Sequence, residues 1–169
     1  MGICMIEPER IEPGPGQESV WDYPRPPRVE ETGKHIKIIV DGVTIAETQR
    51  AKRVLETSHP PVYYIPPDDI NVDLLVPRFN TSLCEWKGQA SYYGLMVNER
   101  QIDIAGWTFP MPNPGYESIQ MHIAFYAQFM DSCTVDGEEV EPQPGGFYGG
   151  WITSDVVGPF KGDAGSELW

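Results

Sequence analysis

Seventeen prolines and seventeen glycines are spread along 169 residues, and their placement leaves little room for a long helix. Proline lacks the amide proton that a helix interior needs, and glycine loses the most backbone entropy on ordering. In "RVLETSHPPVYYIPPDDINVDLLV" the pairs Pro60-Pro61 and Pro66-Pro67 cut the apolar runs to strand length. A long helix cannot survive there. Pro66-Pro67-Asp68-Asp69 reads instead as the start of one helical turn.

Between these breaks the pattern is that of strands. "KHIKIIVDGVTIAETQ" holds two β-branched runs around Asp41-Gly42, a strong hairpin signal, and predicts strands near 35–40 and 43–48. "TSLCEWKGQASYYGLMVNERQIDIAGWTF" predicts three more, near 82–87, 89–97 and 101–107, with turns at Lys87-Gly88 and Asn98-Glu99. "ESIQMHIAFYAQFMDSCTVDGEEV" fits a helix loosely through Ile119, Ile123, Tyr126 and Met130, yet "HIAFYAQF" alternates; a strand at 121–128 is the preferred reading. Asp136-Gly137 then marks another hairpin. The expected fold is mainly β: one domain of short, curved antiparallel sheets with little helix.

Residues 1–34 read as a Pro-rich arm laid along a β domain of residues 35–169. Trp21 and Tyr23 would pin it by burying aromatic area, with order expected from about Ser19.

The net charge of -13 repels phosphate backbones and anionic lipid surfaces, so neither nucleic acid nor membrane is an expected partner. No apolar run approaches bilayer length, and the acidic start "MGICMIEPER" lacks the basic flank and apolar core of an export signal. Ile6 occupies the position where a myristoylation motif carries Ser or Thr. Cys4, Cys84 and Cys133 form an odd set without close pairing, which suits reduced thiols. The expectation is a cytoplasmic protein; its oligomeric state is not legible.

The motifs "VWDYPRPPRVE", "AKRVLETSHPPVYYIPPDDI", "CEWKGQASYY" and "VDGEEVEPQPGGFYGGWITSDVVGPFKG" resemble those of the family catalogued as domain of unknown function 427, in the same order from about Ser19 to Gly162. The resemblance implies a β-tent-like fold, similar to that of zinc-binding exchange factors and B-type methionine sulfoxide reductases. The family is also catalogued as nucleotidyltransferase-like, but there is no Gly-Ser followed by an Asp-x-Asp pair to hold magnesium and triphosphate. Zinc-bearing relatives of that fold use two Cys-x-x-Cys knuckles, whereas Cys84 and Cys133 stand alone and His35, His59 and His122 are scattered. No metal and no cofactor is expected. Cys84 is the thiol to nominate for a reductase-type mechanism, against the alternative of an inert core cysteine.

Two constellations carry candidate chemistry. "LETSHPP" sets Glu56 and His59 on a Pro-stiffened turn, where they form a candidate acid/base pair or merely cap a turn beside a surface His. The second is "PQPGGFYGGWITSDVVGPFKG", Pro142 to Gly162, with six glycines and Phe147, Tyr148, Trp151 and Phe160 in twenty-one positions. Its glycines permit a bend or a close backbone approach, and its aromatics line either a pocket or a core.

On a strand, "CEWKGQASYY" would put Cys84, Trp86, Gly88 and Ala90 on one face and Lys87 on the other, solvating it or binding an anion as a point charge. The candidate ligand-binding set is Tyr64, Trp86, Tyr92, Trp107, Tyr148 and Trp151, with Arg53, Lys87 or Glu56 as polar anchors. Three classes of function remain: an enzyme using Glu56 and His59, a non-catalytic binder of small molecules, or an interaction module docking through the arm or an aromatic patch.

Overall fold

The computed structural model describes residues 7–169; Met1 to Ile6, with Cys4 and the Met-Gly opening, lie outside the described residues. The N-terminal segment contributes β1 (Glu18–Ser19) and β2 (Arg28–Glu31), followed by β3 (Ile36–Val40), β4 (Val43–Thr48), β5 (Lys52–Leu55) and β6 (Val62–Tyr64). The long strands are β7 (Leu75–Cys84), β8 (Gly88–Val97) and β9 (Arg100–Thr108). Short strands complete the chain: β10 (Ile123–Phe125), β11 (Ser132–Val135), β12 (Glu138–Glu139), β13 (Glu141–Pro142), β14 (Trp151–Ile152) and β15 (Val156–Val157). Helical backbone among the described residues is confined to five 3₁₀ turns of three residues each, one of them at Pro67–Asp69.

The protein is mainly β, built of several small sheets that do not close into a barrel. Two sheets have four strands, in the orders β10-β9-β8-β7 and β12-β11-β3-β4; a third has three, β2-β5-β6. All three are antiparallel, and β1 pairs with β15 in parallel. Ile65 and Ile123 exchange backbone hydrogen bonds of 2.9 Å in both directions, joining the end of β6 to β10.

The hairpins follow from turn chemistry. Asp41-Gly42 and Asp136-Gly137 both adopt positive φ at both central residues, a conformation that matches the right-handed twist of the flanking strands. β3 then alternates strictly: Ile36, Ile38 and Val40 are buried, while Lys37 and Ile39 are half-exposed.

Two predicted strands differ from the structure. The strand expected at 82–87 begins at Leu75 and ends at Cys84, because β7 is an edge strand that tolerates Pro77 within an irregular register, and Glu85 to Lys87 form the turn. The strand expected at 121–128 is only Ile123–Phe125. Met121 has a positive φ before it, Ala127–Phe129 coil into a 3₁₀ turn after it, and all three strand residues are buried.

Two apolar clusters lie on opposite faces of the β10-β9-β8-β7 sheet. Leu95, Val97, Ala105, Ile123 and Phe125 join Ile36, Ile38, Val40 and Trp151 in the main core. Ala90, Phe109 and Ala124, on the other face, join Val54, Tyr64, Tyr116 and Ile119, with Trp107 and Tyr92 packed against them. A cavity opens above this second cluster.

Trp21 and Tyr23 are buried, and the Trp21 indole N–H donates to the Pro159 carbonyl at 2.9 Å, tying the N-terminal segment to the C-terminal one. No helix among the described residues is long and apolar enough to cross a membrane.

Candidate functional site

The cavity encloses about 340 Å³, within the usual range for small-molecule sites. Strand register assembles its first wall. Ser82 pairs with Ala90, Cys84 with Gly88, Tyr92 with Trp107, and Trp107 with Ala124, so their side chains share one face of the sheet. Period two extends that face to Phe109 and Tyr126, and Ser82, Cys84, Ala90, Tyr92, Trp107, Phe109 and Tyr126 all line the cavity. The facing wall comes from β5 and β6, where Val54 pairs with Val62 and Tyr64 follows two residues on.

Buried aromatic polar tips are satisfied within the wall. The Trp107 indole N–H donates to the Tyr64 hydroxyl at 3.2 Å, their rings meet edge to face, and Ser82 and Tyr92 share a hydrogen bond of 2.8 Å. Burial pushes the Tyr64 and Tyr126 phenols far above their ordinary values, so both are neutral donors at any physiological pH.

The turn between β5 and β6 supplies Glu56, His59 and Pro60. Its shape is set by residues distant in sequence: the Ser58 N–H donates to the Val20 carbonyl at 3.0 Å and the Thr57 N–H to the Pro24 carbonyl at 3.3 Å. Arg25 donates to the Thr57 carbonyl at 3.0 Å and stands 3.6 Å from the Glu56 carboxylate. Glu56 in turn lies 3.5 Å from Nδ1 of His59.

The His59 Nδ1–H donates to the Thr57 carbonyl at 2.9 Å, which leaves Nε2 as the acceptor nitrogen of the neutral ring. Nε2 has no hydrogen-bond partner among the described residues, and the ring meets Tyr148 edge to face at 5.2 Å. Burial holds the His59 pKa below its ordinary value of 6.5; the Glu56 charge and the Thr57 carbonyl oppose this, while Lys161 and Arg25 add to it.

The last wall is the glycine- and aromatic-rich segment, from which Gln143, Phe147, Tyr148, Gly149 and Lys161 reach the cavity. Gly149 is there because the Trp107 ring occupies the space a Cβ would need, at 2.1 Å. Gly162 passes so close to Pro144 that a Cβ would meet its carbonyl oxygen at 1.9 Å. These glycines are close-approach positions that let the segment fold over the sheet.

The structure thus brings Glu56, His59, Tyr64, Lys87, Tyr92, Trp107 and Tyr148 around one cavity and places Arg53, Trp86 and Trp151 elsewhere. Arg53 neighbours Val54 on β5 and projects to the opposite face. It pairs there with Glu18 and Glu30, each at 2.8 Å. Trp86 lies in the β7–β8 turn rather than on a strand face and packs against the cluster beneath the cavity without lining it. Trp151 is fully buried in the main core, donating its indole N–H to the Phe125 carbonyl at 3.0 Å and packing on Tyr63.

Phe109, Tyr126 and Lys161 line the cavity without having been singled out as ligand contacts. Phe109 and Tyr126 follow Trp107 and Ala124 by two residues, so strand parity reaches them once the pairing is known. Lys161 belongs to the glycine- and aromatic-rich motif, which marks it as a candidate beside Phe147 and Tyr148 but not as one of the polar anchors.

Cys84 is half-buried at the cavity, whereas Cys133 is sealed in the main core, where burial pushes its thiol pKa far up. No group of three or more His, Cys, Asp or Glu side chains among the described residues is placed to hold a metal ion.

These features define a mainly β protein of small antiparallel sheets with an aromatic-lined cavity between two of them. Residues 28–136 match a family described as domain of unknown function (DUF427), and the chain belongs to that family. No curated protein matches the chain. The matched region carries the sheet walls and the Glu56–His59 turn, while Phe147, Tyr148, Gly149 and Lys161 close the cavity from beyond it.

Proposed function

We propose that the protein binds a small organic molecule in this cavity. The observation that carries the reading is convergence: β5, β6, β7, β8, β9 and the Gln143–Lys161 segment each send aromatic, apolar or charged side chains to one concave surface of about 340 Å³. An apolar wall with a few directed polar groups is what orients a small ligand. The burial of Trp21 and Tyr23 supports this reading over docking through the N-terminal segment, since both anchors are engaged within the protein.

A catalytic role is a second reading, favoured by His59. A neutral imidazole with one nitrogen fixed on a carbonyl and the other free is arranged to accept a proton from a bound molecule, and the Glu56 carboxylate would stabilise the imidazolium that forms. The reduced-thiol pattern and acidic charge support a cytoplasmic setting without nucleic-acid or membrane partners for this reading.

A thermal-shift screen with a metabolite library tests binding. Ligands that raise the melting temperature of the wild type and fail to do so in Trp107→Ala support the cavity. Ligands that stabilise both proteins equally refute it. Product formation lost in Glu56→Gln and His59→Ala, with ligand binding retained, separates enzyme from binder.

A further inference from the structure

The two lysines of the cavity are in different states. Lys161 donates to the Trp169 carbonyl at 3.1 Å and lies 5.9 Å from the centre of the Tyr148 ring. Lys87 has no ion pair or hydrogen bond from its ammonium among the described residues; it lies 5.7 Å from the centre of the Phe109 ring. The turn that carries it is fixed by its own backbone, because the Asn113 N–H donates to the Lys87 carbonyl at 2.8 Å and the Asn113 side chain to the Trp86 carbonyl at 3.3 Å.

The half-exposed Lys87 ammonium thus meets an aromatic ring and no carboxylate of the described residues. In a chain of net charge -13, carboxylates to neutralise it are plentiful, yet the cavity's one carboxylate, Glu56, already faces the Arg25 guanidinium at 3.6 Å. This leaves Lys87 as the cavity cation open to an anionic group of a ligand. Trp107, Tyr64 and Phe109 beside it present ring faces and edges with few free polar atoms, which favours a flat π-system over a polyhydroxylated one.

We infer that the cavity takes a flat aromatic or heteroaromatic acid, its carboxylate or phosphate on Lys87, its ring against Trp107 and Phe109, and a hydroxyl or N–H donor toward Nε2 of His59. The inference rests on the small-molecule reading of the cavity and names the ligand class for it. Lys87 selects charge, the ring walls select shape, and His59 selects the donor.

Isothermal titration at neutral pH with four probes tests this: 2-naphthoate, 2-naphthyl phosphate, 6-hydroxy-2-naphthoate and the neutral 2-naphthamide. A charge-assisted contact predicts that the better of the first two anions binds at least about tenfold tighter than the amide, and which of them wins identifies the anionic group. Lys87→Met should abolish that preference without weakening the amide, with Lys87→Gln as a second variant should Met disturb folding. The hydroxylated acid should outbind 2-naphthoate in the wild type and match it in His59→Phe.

Equal binding of acid and amide to the wild type overturns the inference and leaves the cavity reading standing, as does a preference that survives in folded Lys87 variants. Failure of every probe, charged and neutral, counts against both.

Discussion

Gly149 lies flush against the indole of Trp107, with no room between them for a single methyl group. This contact joins the C-terminal glycine-rich segment to the sheet wall carrying Tyr92, Phe109 and Tyr126, and so closes the cavity. Gly149→Ala forces either the ring or the segment to move. Overpacking of this kind costs about 1–3 kcal/mol. Urea unfolding should report that loss, and a ligand that protects the wild type thermally should protect the variant less.

His59 should titrate below the ordinary histidine range in a pH series of imidazole NMR spectra, because burial outweighs its attraction to Glu56. Glu56→Gln removes an effect that raises the pKa, so the midpoint should fall further. The linkage has a definite sign. The unfolded chain takes up a proton near pH 6.5 and the folded chain only at lower pH, so stability falls as pH drops through 6.5 and levels off below the folded pKa. His59→Gln should flatten that part of the stability curve.

Arg53 holds the N-terminal segment through Glu18 and Glu30, and its guanidinium is mostly buried while the two carboxylates are partly exposed. Arg53→Met leaves two facing carboxylates without their cation. The expected cost is about 2 kcal/mol, reduced from that of a fully buried pair by solvent around the carboxylates. Unfolding in denaturant measures it. Proteolysis near Glu18 should accelerate, while the charge preference of the cavity should be unchanged.

The two described cysteines should differ sharply toward a thiol reagent followed by peptide mass mapping. Cys84, half-buried at the cavity, should be labelled in the native protein, and Cys133, sealed in the main core with its thiol pKa raised, only after unfolding. A cavity ligand should slow labelling of Cys84.

The mainly β class and the tight turns were legible because their causes are local. Asp41-Gly42 and Asp136-Gly137 announce a backbone that few other residues accept, and paired prolines exclude helix wherever they fall. The two faces of a strand were legible only as parity. Nothing local tells whether Val54 or its neighbour Arg53 turns toward the cavity, since that depends on which side of the sheet another element covers. Trp86 escaped even parity, because the strand ends at Cys84 and the residue belongs to a turn. Tyr148 lies in irregular backbone three residues before Trp151, which opens β14, and their separation into cavity wall and core follows from where Trp107 and Pro61 meet that segment.

The most direct measurement is a crystal structure of the protein after incubation with a mixture of cellular metabolites. Ordered density for a flat ligand between Trp107, Tyr148 and the Lys87 ammonium is the predicted result. A ligand bound at any other surface, with only water between these three side chains, would contradict the account.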